Sequence, residues 1–372
     1  MTGVASLRAD RVTVRFRRPF PVAAGLWNAR EAWILRLADA DGRVGVGEAV
    51  IEPDDGEVAA SVLTTLIREA VATSGEGRLP TGNELEDHGR PGRALLAALD
   101  AARFDLEQAP AQDLRADGAG VGVNATIPLL GPAASAEAAR QAVAAGFTTL
   151  KLKGGAERET DVLVDRVRAV REAIGPDVRL RLDVNGAWDP ATAEDRLEAL
   201  AQFDLEYVEQ PLAGDDASEL ADLRRRVQVP IAADESVASM KAARELLDAE
   251  AVDVLVVKPA RVGGLEVGAE IAALAAERGV PVVVSTLFET GVGIAAALAM
   301  AAALPVVGAG VEGLDHGLAT AGLLEHDLLC EGFVVAEGRM WLPNAPGPGG
   351  LGIETDEDAV ARYRAEVVER VQ

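Results

Sequence analysis

Thr149-Leu150-Lys151-Leu152-Lys153-Gly154 reads as a strand that carries two lysines. In period-2 alternation Lys151 and Lys153 share one face while Leu150 and Leu152 share the other, so two ammonium groups stand side by side. A solvated edge strand with two exposed lysines would have the same local spelling. The pattern on either side of the stretch decides between the two.

Strand-like runs recur at 122–127, 148–153, 178–184, 205–209, 230–234, 252–258, 281–286 and 306–311. Helical periodicity fills the gaps, at 135–145, 160–174, 190–201, 217–226, 239–249, 264–278 and 291–303. Eight such repeats predict an α/β chain built as a (β/α)8 TIM-type barrel, since a doubly wound sheet rarely alternates so regularly over eight strands. The almost wholly apolar run 292–311 is near the length of a membrane span. It is rich in Ala and Gly and broken by Pro305, which predicts a buried helix and the next strand.

Before the barrel, Ala9–Phe16, Ala32–Leu37 and Val44–Glu48 read as an antiparallel meander, with a turn at Asp39–Gly42. Pro19–Arg30, with Leu26 and Trp27, is too apolar for an idle loop. It reads either as a lid over a site or as a loop packed on its own domain. Helical patterns at 56–74 and 93–108 complete an N-terminal α+β domain of residues 1–120, followed by the barrel at 121–327 and a C-terminal segment at 328–372.

Apolar residues make up 49% of the 372 and aromatics only 3%, so Ala, Val, Leu and Ile must build the core. A net charge of −24 argues against nucleic acid and anionic membranes as partners, because both require a basic face. Self-association into a homo-oligomer is compatible with such a composition. The single cysteine, Cys330, excludes an internal disulfide or a cysteine metal cluster and is expected as a small buried residue. Met1–Arg18 lacks a long apolar run, which favours a cytoplasmic setting over secretion.

Residues at the C-terminal ends of barrel strands converge on one mouth. Those ends are Lys151 and Lys153, then Asp183 and Asn185, Glu209, Asp234 and Glu235, and Lys258; from Lys153 the steps are 30, 26, 25 and 24 residues, each about one repeat. Charges at an inner barrel end are costly unless paired or metal-bound. Three carboxylates without cysteine or histidine make an oxygen-only site for a hard cation, Mg2+ by default with Mn2+ as a substitute. His88, His316 and His326 fall outside the strand ends, which disfavours zinc and a histidine base.

With a divalent ion and three lysines, positive charge exceeds that of Asp183, Glu209, Asp234 and Glu235, so a small anionic substrate such as a carboxylate fits the mouth. Removing a proton α to a carboxylate creates an enediolate that such a metal stabilises. Lys153, with Lys151 and the metal as cationic neighbours, is the expected base. Lys258 enters from the other side as a second acid or base, or as a fixed cation. A binding protein without turnover would have little use for the lysines.

These residues resemble the enolase superfamily, and within it the muconate lactonizing enzyme subgroup. The resemblance lies in Lys151-Leu152-Lys153, Asp183-Val184-Asn185, Val208-Glu209-Gln210-Pro211, Ala233-Asp234-Glu235-Ser236, and Lys258 leading into Gly263-Gly264. Gly45-Val46-Gly47-Glu48 resembles the capping-domain motif, with Val46 where Trp is usual, and the C-terminal segment is then expected to return to that cap. The resemblance implies Asp183, Glu209 and Asp234 as metal ligands and Lys153 and Lys258 as paired acid/base lysines. Strand seven ends in Ser285-Thr286 rather than a histidine, which sets aside the mandelate racemase and sugar-acid dehydratase branches.

Within the subgroup the barrel looks most like o-succinylbenzoate synthases, whereas the cap loop 49–54 departs from them. N-succinylamino acid racemase, dipeptide epimerase and muconate cycloisomerase share the same lysines and ligands. Glu312-Gly313-Leu314-Asp315 lacks the Asp-x-Asp pattern of the epimerases. The implied reaction is dehydration of 2-succinyl-6-hydroxy-2,4-cyclohexadiene-1-carboxylate in menaquinone biosynthesis. Ser285, Thr286, the backbone near Gly313 and the lid residue Trp27 are the candidates for holding the rest of the substrate.

Overall fold

The computed structural model describes residues 4–22, 25–115, 117–214, 216–305, 313–344 and 347–369. The N-terminal sheet contains β1 (Val4–Val22), β2 (Gly25–Asp39) and β3 (Val44–Ala49), and is followed by α1 (Gly56–Ser74), α2 (Gly82–Glu86) and α3 (Gly89–Glu107). Both faces of this sheet are buried. Leu7, Ala9, Trp33, Leu35 and Leu37 pack with α1 and α3, whereas Val12, Val14, Phe16, Ala32 and Ile34 join the core shared with the barrel. Alternation therefore sorts one strand between two partners.

The apolar segment 19–30 is part of a long hairpin rather than a loop. Pairing continues through Phe20↔Trp27, Pro21↔Leu26 and Val22↔Gly25, after an irregularity between Arg15 and Phe20.

The barrel strands are β5 (Ala125–Ile127), β6 (Thr149–Lys153), β7 (Arg179–Asp183), β8 (Tyr207–Glu209), β9 (Ile231–Ala233), β10 (Val254–Val257) and β11 (Val282–Val284), hydrogen-bonded in that order and parallel throughout. Helices α4 (Pro132–Ala144), α5 (Thr160–Ile174), α6 (Pro190–Leu200), α7 (Ala217–Arg226), α8 (Met240–Asp248), the short α9 (Pro259–Val262), α10 (Leu265–Glu277) and α11 (Gly291–Ala302) connect them. The expected strand 306–311 lies outside the described residues. The eighth place in the wall is taken by His316 and Gly317, which bridge in parallel to Val123 on one side and Ser285 on the other. His316 thus belongs to the barrel wall, and it lies with Thr148 and Arg179 rather than among the strand ends that carry the lysines and carboxylates. Its Nδ1 accepts from Val284 N at 3.0 Å, and burial, followed by Arg181, depresses it to about 4, so it is neutral.

The run 122–127 is not one strand. β4 (Val121–Gly122) peels away to join β12 (Val334–Ala336) and β13 (Arg339–Trp341), leaving β5 in the barrel. The C-terminal α12 (Glu357–Tyr363) leads into β14 (Arg364–Val368), which pairs antiparallel with β1 and completes the cap sheet. Cys330 is exposed rather than buried, because Leu328 and Leu329 take the inward positions of that irregular segment. Among the described residues no helix is long and apolar enough to cross a membrane.

The cap is fastened to the barrel by carboxylates that cap barrel helices. Glu48 of β3 accepts from Thr290 N (3.0 Å), Thr290 Oγ1 (2.6 Å) and Gly293 N (2.9 Å) at the start of α11. Asp100 of α3 accepts from Leu265 N and Glu266 N at the start of α10. Each satisfies amides that a helix leaves unpaired. Glu48 reaches its place because Gly45 and Gly47 let β3 lie directly on α3. A Cβ on Gly47 would stand 2.0 Å from Ala98 O. Gly47→Ala is expected to cost about 3 kcal/mol through this overlap; urea denaturation checks it, and a wild-type midpoint would refute the contact.

Candidate active site

β6 delivers its lysines because Leu150 and Leu152 are fully buried on the outer face of the strand, which leaves Lys151 and Lys153 on the inner one. The parallel register then lines up the neighbours, with Lys153 opposite Asp183 and Asp183 opposite Glu209. Asp234 follows the end of β9, and Lys258 immediately precedes α9, just beyond β10. The carboxylates of three adjacent strands therefore lie between a lysine on β6 and another beyond β10.

Lys151 Nζ bridges Glu209 Oε1 at 2.6 Å and Asp183 Oδ2 at 2.8 Å. Lys153 Nζ reaches the same Asp183 oxygen at 2.7 Å and Asn185 Oδ1 at 3.1 Å. Asn185, in a left-handed turn (φ 48°), folds back to do this, a conformation that Asn tolerates well. Its Nδ2 donates to Glu235 Oε1 at 2.9 Å. On the other side Lys258 Nζ lies 2.6 Å from Asp234 Oδ2. Gln210 supports the β9 end by accepting from Asp234 N and Ser236 N through Oε1.

Burial alone would push every charge here toward its neutral form. For Lys151 that tendency is outweighed by Asp183, Glu209 and Asp234, which hold it well above the ordinary lysine range. For Asp183 burial is overcome by Lys151 and Lys153, and the carboxyl is held far below its usual range. Glu209 goes the other way, raised by burial and by the adjacent Asp183. Glu235 is raised by burial and then by Asp234.

Two charged residues were not singled out from the sequence. Arg261, buried, donates from Nη1 to Asp234 Oδ1 at 2.8 Å and from Nη2 to Glu52 Oε2 of the cap at 2.9 Å. It lies three residues past Lys258, on the single turn of α9, a spacing that puts both on one face. Glu52 belongs to the cap loop 49–54, and only the fold brings it here.

Ser285 and Thr286 are buried at the end of β11, and Thr286 Oγ1 pairs with Thr320 Oγ1 at 3.1 Å. Gly313 is at the wrong end. It precedes the His316 bridge and lies with Thr148 and Arg179, at the N-terminal ends of the strands. Thr320, beyond that bridge, occupies the position that Gly313 was expected to fill. Trp27, on the hairpin, is 8% exposed and meets Phe288 edge-on at 5.8 Å, which brings the cap to the loop after β11.

The donor set is suited to a hard divalent cation, and Glu235 Oε2 is buried without a hydrogen-bond partner. Among the described residues no three carboxylate, imidazole or thiolate groups meet at one point as they stand. Lysine ammonium groups sit between the carboxylates instead, so a cation would compete with them for the same oxygens.

Residues 134–359 match the family described as Enolase C-terminal domain-like. An o-succinylbenzoate synthase of Thermobifida fusca is 48% identical over 209 residues, which is 56% of this chain and 62% of that protein. That match spans less than two thirds of the relative's length. One from Mycobacterium tuberculosis is 40% identical over 248 residues, covering 66% of this chain and 68% of the relative. The crystal structure of a dipeptide epimerase from Cytophaga hutchinsonii, complexed with Mg and D-Ala-L-Val, superposes with a TM-score of 0.82. It covers 99% of this chain and 100% of the other at 22% identity, a likeness of fold.

Behind the mouth, Glu289 is pushed up to about 7, first by burial and then by Glu48. A carboxyl raised in this way binds more protons folded than unfolded, so its contribution is complete at acid pH and is lost as pH rises toward and through 7. Glu289→Gln is expected to change stability little at pH 5 and to raise it at pH 8 by on the order of 2–3 kcal/mol. Urea titrations at both pH values test this, and an unchanged or lower midpoint at pH 8 would contradict it.

Proposed function

We propose that this chain, which belongs to the enolase superfamily and within it to the muconate lactonizing enzyme subgroup, abstracts a proton α to a carboxylate and acts as an o-succinylbenzoate synthase. The observation that carries this reading is the placing of Lys153 and Lys258 on opposite flanks of the Asp183, Glu209 and Asp234 carboxylates. The substrate class follows the T. fusca and M. tuberculosis relatives.

Asp183, Glu209 and Asp234 would hold Mg2+, with Mn2+ as a substitute. Bound there, the ion supplies a Lewis acid toward the substrate carboxylate and offsets the charge that builds as the α proton leaves. Lys153 Nζ takes the proton from the ring carbon bearing the carboxylate, and the electron pair of the broken C–H bond moves into that carboxylate to give the enediolate. As the pair returns to form the new ring double bond, the C–O bond to the ring hydroxyl breaks. Lys153 gives its proton to the departing hydroxide, so water leaves and the ring becomes aromatic. Lys258 stays an ammonium group facing the ring from the other flank. Ser285, Thr286 and Thr320 are the polar groups available to the succinyl arm, and Trp27 closes the mouth from the cap.

The direct test follows the absorbance of 2-succinyl-6-hydroxy-2,4-cyclohexadiene-1-carboxylate with purified protein and Mg2+. Rapid loss of the diene that EDTA abolishes is expected. No loss, with α-proton exchange into N-acylamino acids or dipeptides instead, would reassign the chain to a racemase or epimerase of the same subgroup. Lys153→Ala is expected to lower kcat by roughly 10^2–10^4-fold while leaving Mg2+ affinity and thermal stability near wild type. Retained activity would remove Lys153 as the base.

A further inference from the structure

The cap loop 49–54 lies against the loop after β10. Glu52 Oε2 receives Arg261 Nη2 at 2.9 Å and Arg90 Nη1 at 3.1 Å. Its own backbone N–H donates to Asp55 Oδ2 at 2.9 Å, and Arg90 ties Asp55 at 2.6 Å, so the carboxylate is held from behind. On the barrel side the buried Arg261 spends its other Nη on Asp234 Oδ1, while Lys258 holds Oδ2. Arg93 of α3 fixes the same loop by donating to Arg261 O at 3.0 Å.

A continuous chain of charges thus runs from the cap to the mouth: Arg90, Glu52, Arg261, Asp234, Lys258. A buried guanidinium facing one carboxylate alone would leave part of its charge uncompensated, and Glu52 supplies the second partner. We infer that Glu52 is a positioning residue: by holding and neutralising Arg261 it fixes Asp234 with Oδ1 on the guanidinium, leaving Oδ2 for the mouth and lessening the repulsion a cation meets there. Arg261 then orients a ligand instead of opposing the ion. The role of Glu52 rests on the reading of Asp183, Glu209 and Asp234 as metal ligands.

Isothermal titration of Mg2+ into EDTA-treated wild type, Glu52→Gln, Glu52→Ala, Arg261→Met and Glu52→Ala/Arg261→Met tests it, with thermal unfolding in EDTA as the control for folding. Glu52→Ala is expected to weaken Mg2+ binding roughly tenfold, the low end of what removing the support of a metal ligand costs. Glu52→Gln, which keeps the hydrogen bond and loses the charge, is expected to fall between Glu52→Ala and wild type. In the Arg261→Met background the Glu52→Ala effect should vanish, because the coupling runs through the guanidinium. Wild-type affinity in Glu52→Ala, or in Glu52→Gln should the alanine variant not fold, overturns the inference and leaves the metal assignment standing. An equal loss in the Arg261→Met background also overturns it. Failure of the wild type itself to bind Mg2+ overturns the metal assignment instead.

Discussion

Crowding of like charge in a dry place is the constraint on which the rest of the structure depends. Asp183, Glu209 and Asp234 are each no more than 1% exposed, and Glu52 and Glu235 stand close by. Lys151, Lys153, Lys258 and Arg261 answer them, and the balance is close enough that one divalent ion would change its sign. Such an arrangement is stable only if each carboxylate keeps at least one cation, as Asp183 and Asp234 do with two apiece, since a group left with none is a buried unpaired charge. The register of β6, β7 and β8 is what places these partners within reach, so the strand order is a condition of the electrostatics as well as of the packing.

The regular part of that arrangement was legible. Charged residues recur at strand ends about one β/α unit apart, and period-2 alternation on β6 separates the lysines from the leucines; neither needs tertiary context to be read. The same logic places α1 at 56–74, where the helix is observed. What escaped depends on contacts distant in sequence. His316 and Gly317 close the barrel with a single bridge to each neighbour, too short a strand to leave a periodic signal. The apolar run 306–311 predicts an eighth strand and so a mouth position for Gly313; with closure at 316–317, Gly313 stands instead with Thr148 and Arg179 at the opposite end.

The hairpin at 19–30 was obscured for a related reason. Pro19 and Pro21 argue against a central strand, but the paired tip tolerates them after the irregularity near Arg15. Cys330 was expected inside on the general behaviour of free cysteines, and two adjacent leucines took the inward positions. Arg261 could have been found by extending the strand-end search by one helical turn. Glu52 could not, because nothing local connects a cap loop to a residue more than two hundred positions away.

The cap meets the barrel chiefly beyond β10 and β11. Asp100 caps α10, Glu48 caps α11, and Glu52 grips Arg261 within the loop that joins β10 to α10. Trp27 on Phe288 adds an apolar contact on the same side. Lys258 therefore stands on a loop whose geometry the cap helps to set, whereas Lys153 stands on a strand fixed by β7 and by Arg166, which donates to its carbonyl. The two flanks of the mouth thus differ in what supports them: one belongs to the barrel alone, the other to the junction. A change in the cap that moves Trp27 or Glu52 acts on the Lys258 flank first, so variation in cap sequence can adjust that flank while the Lys153 side stays as the barrel builds it.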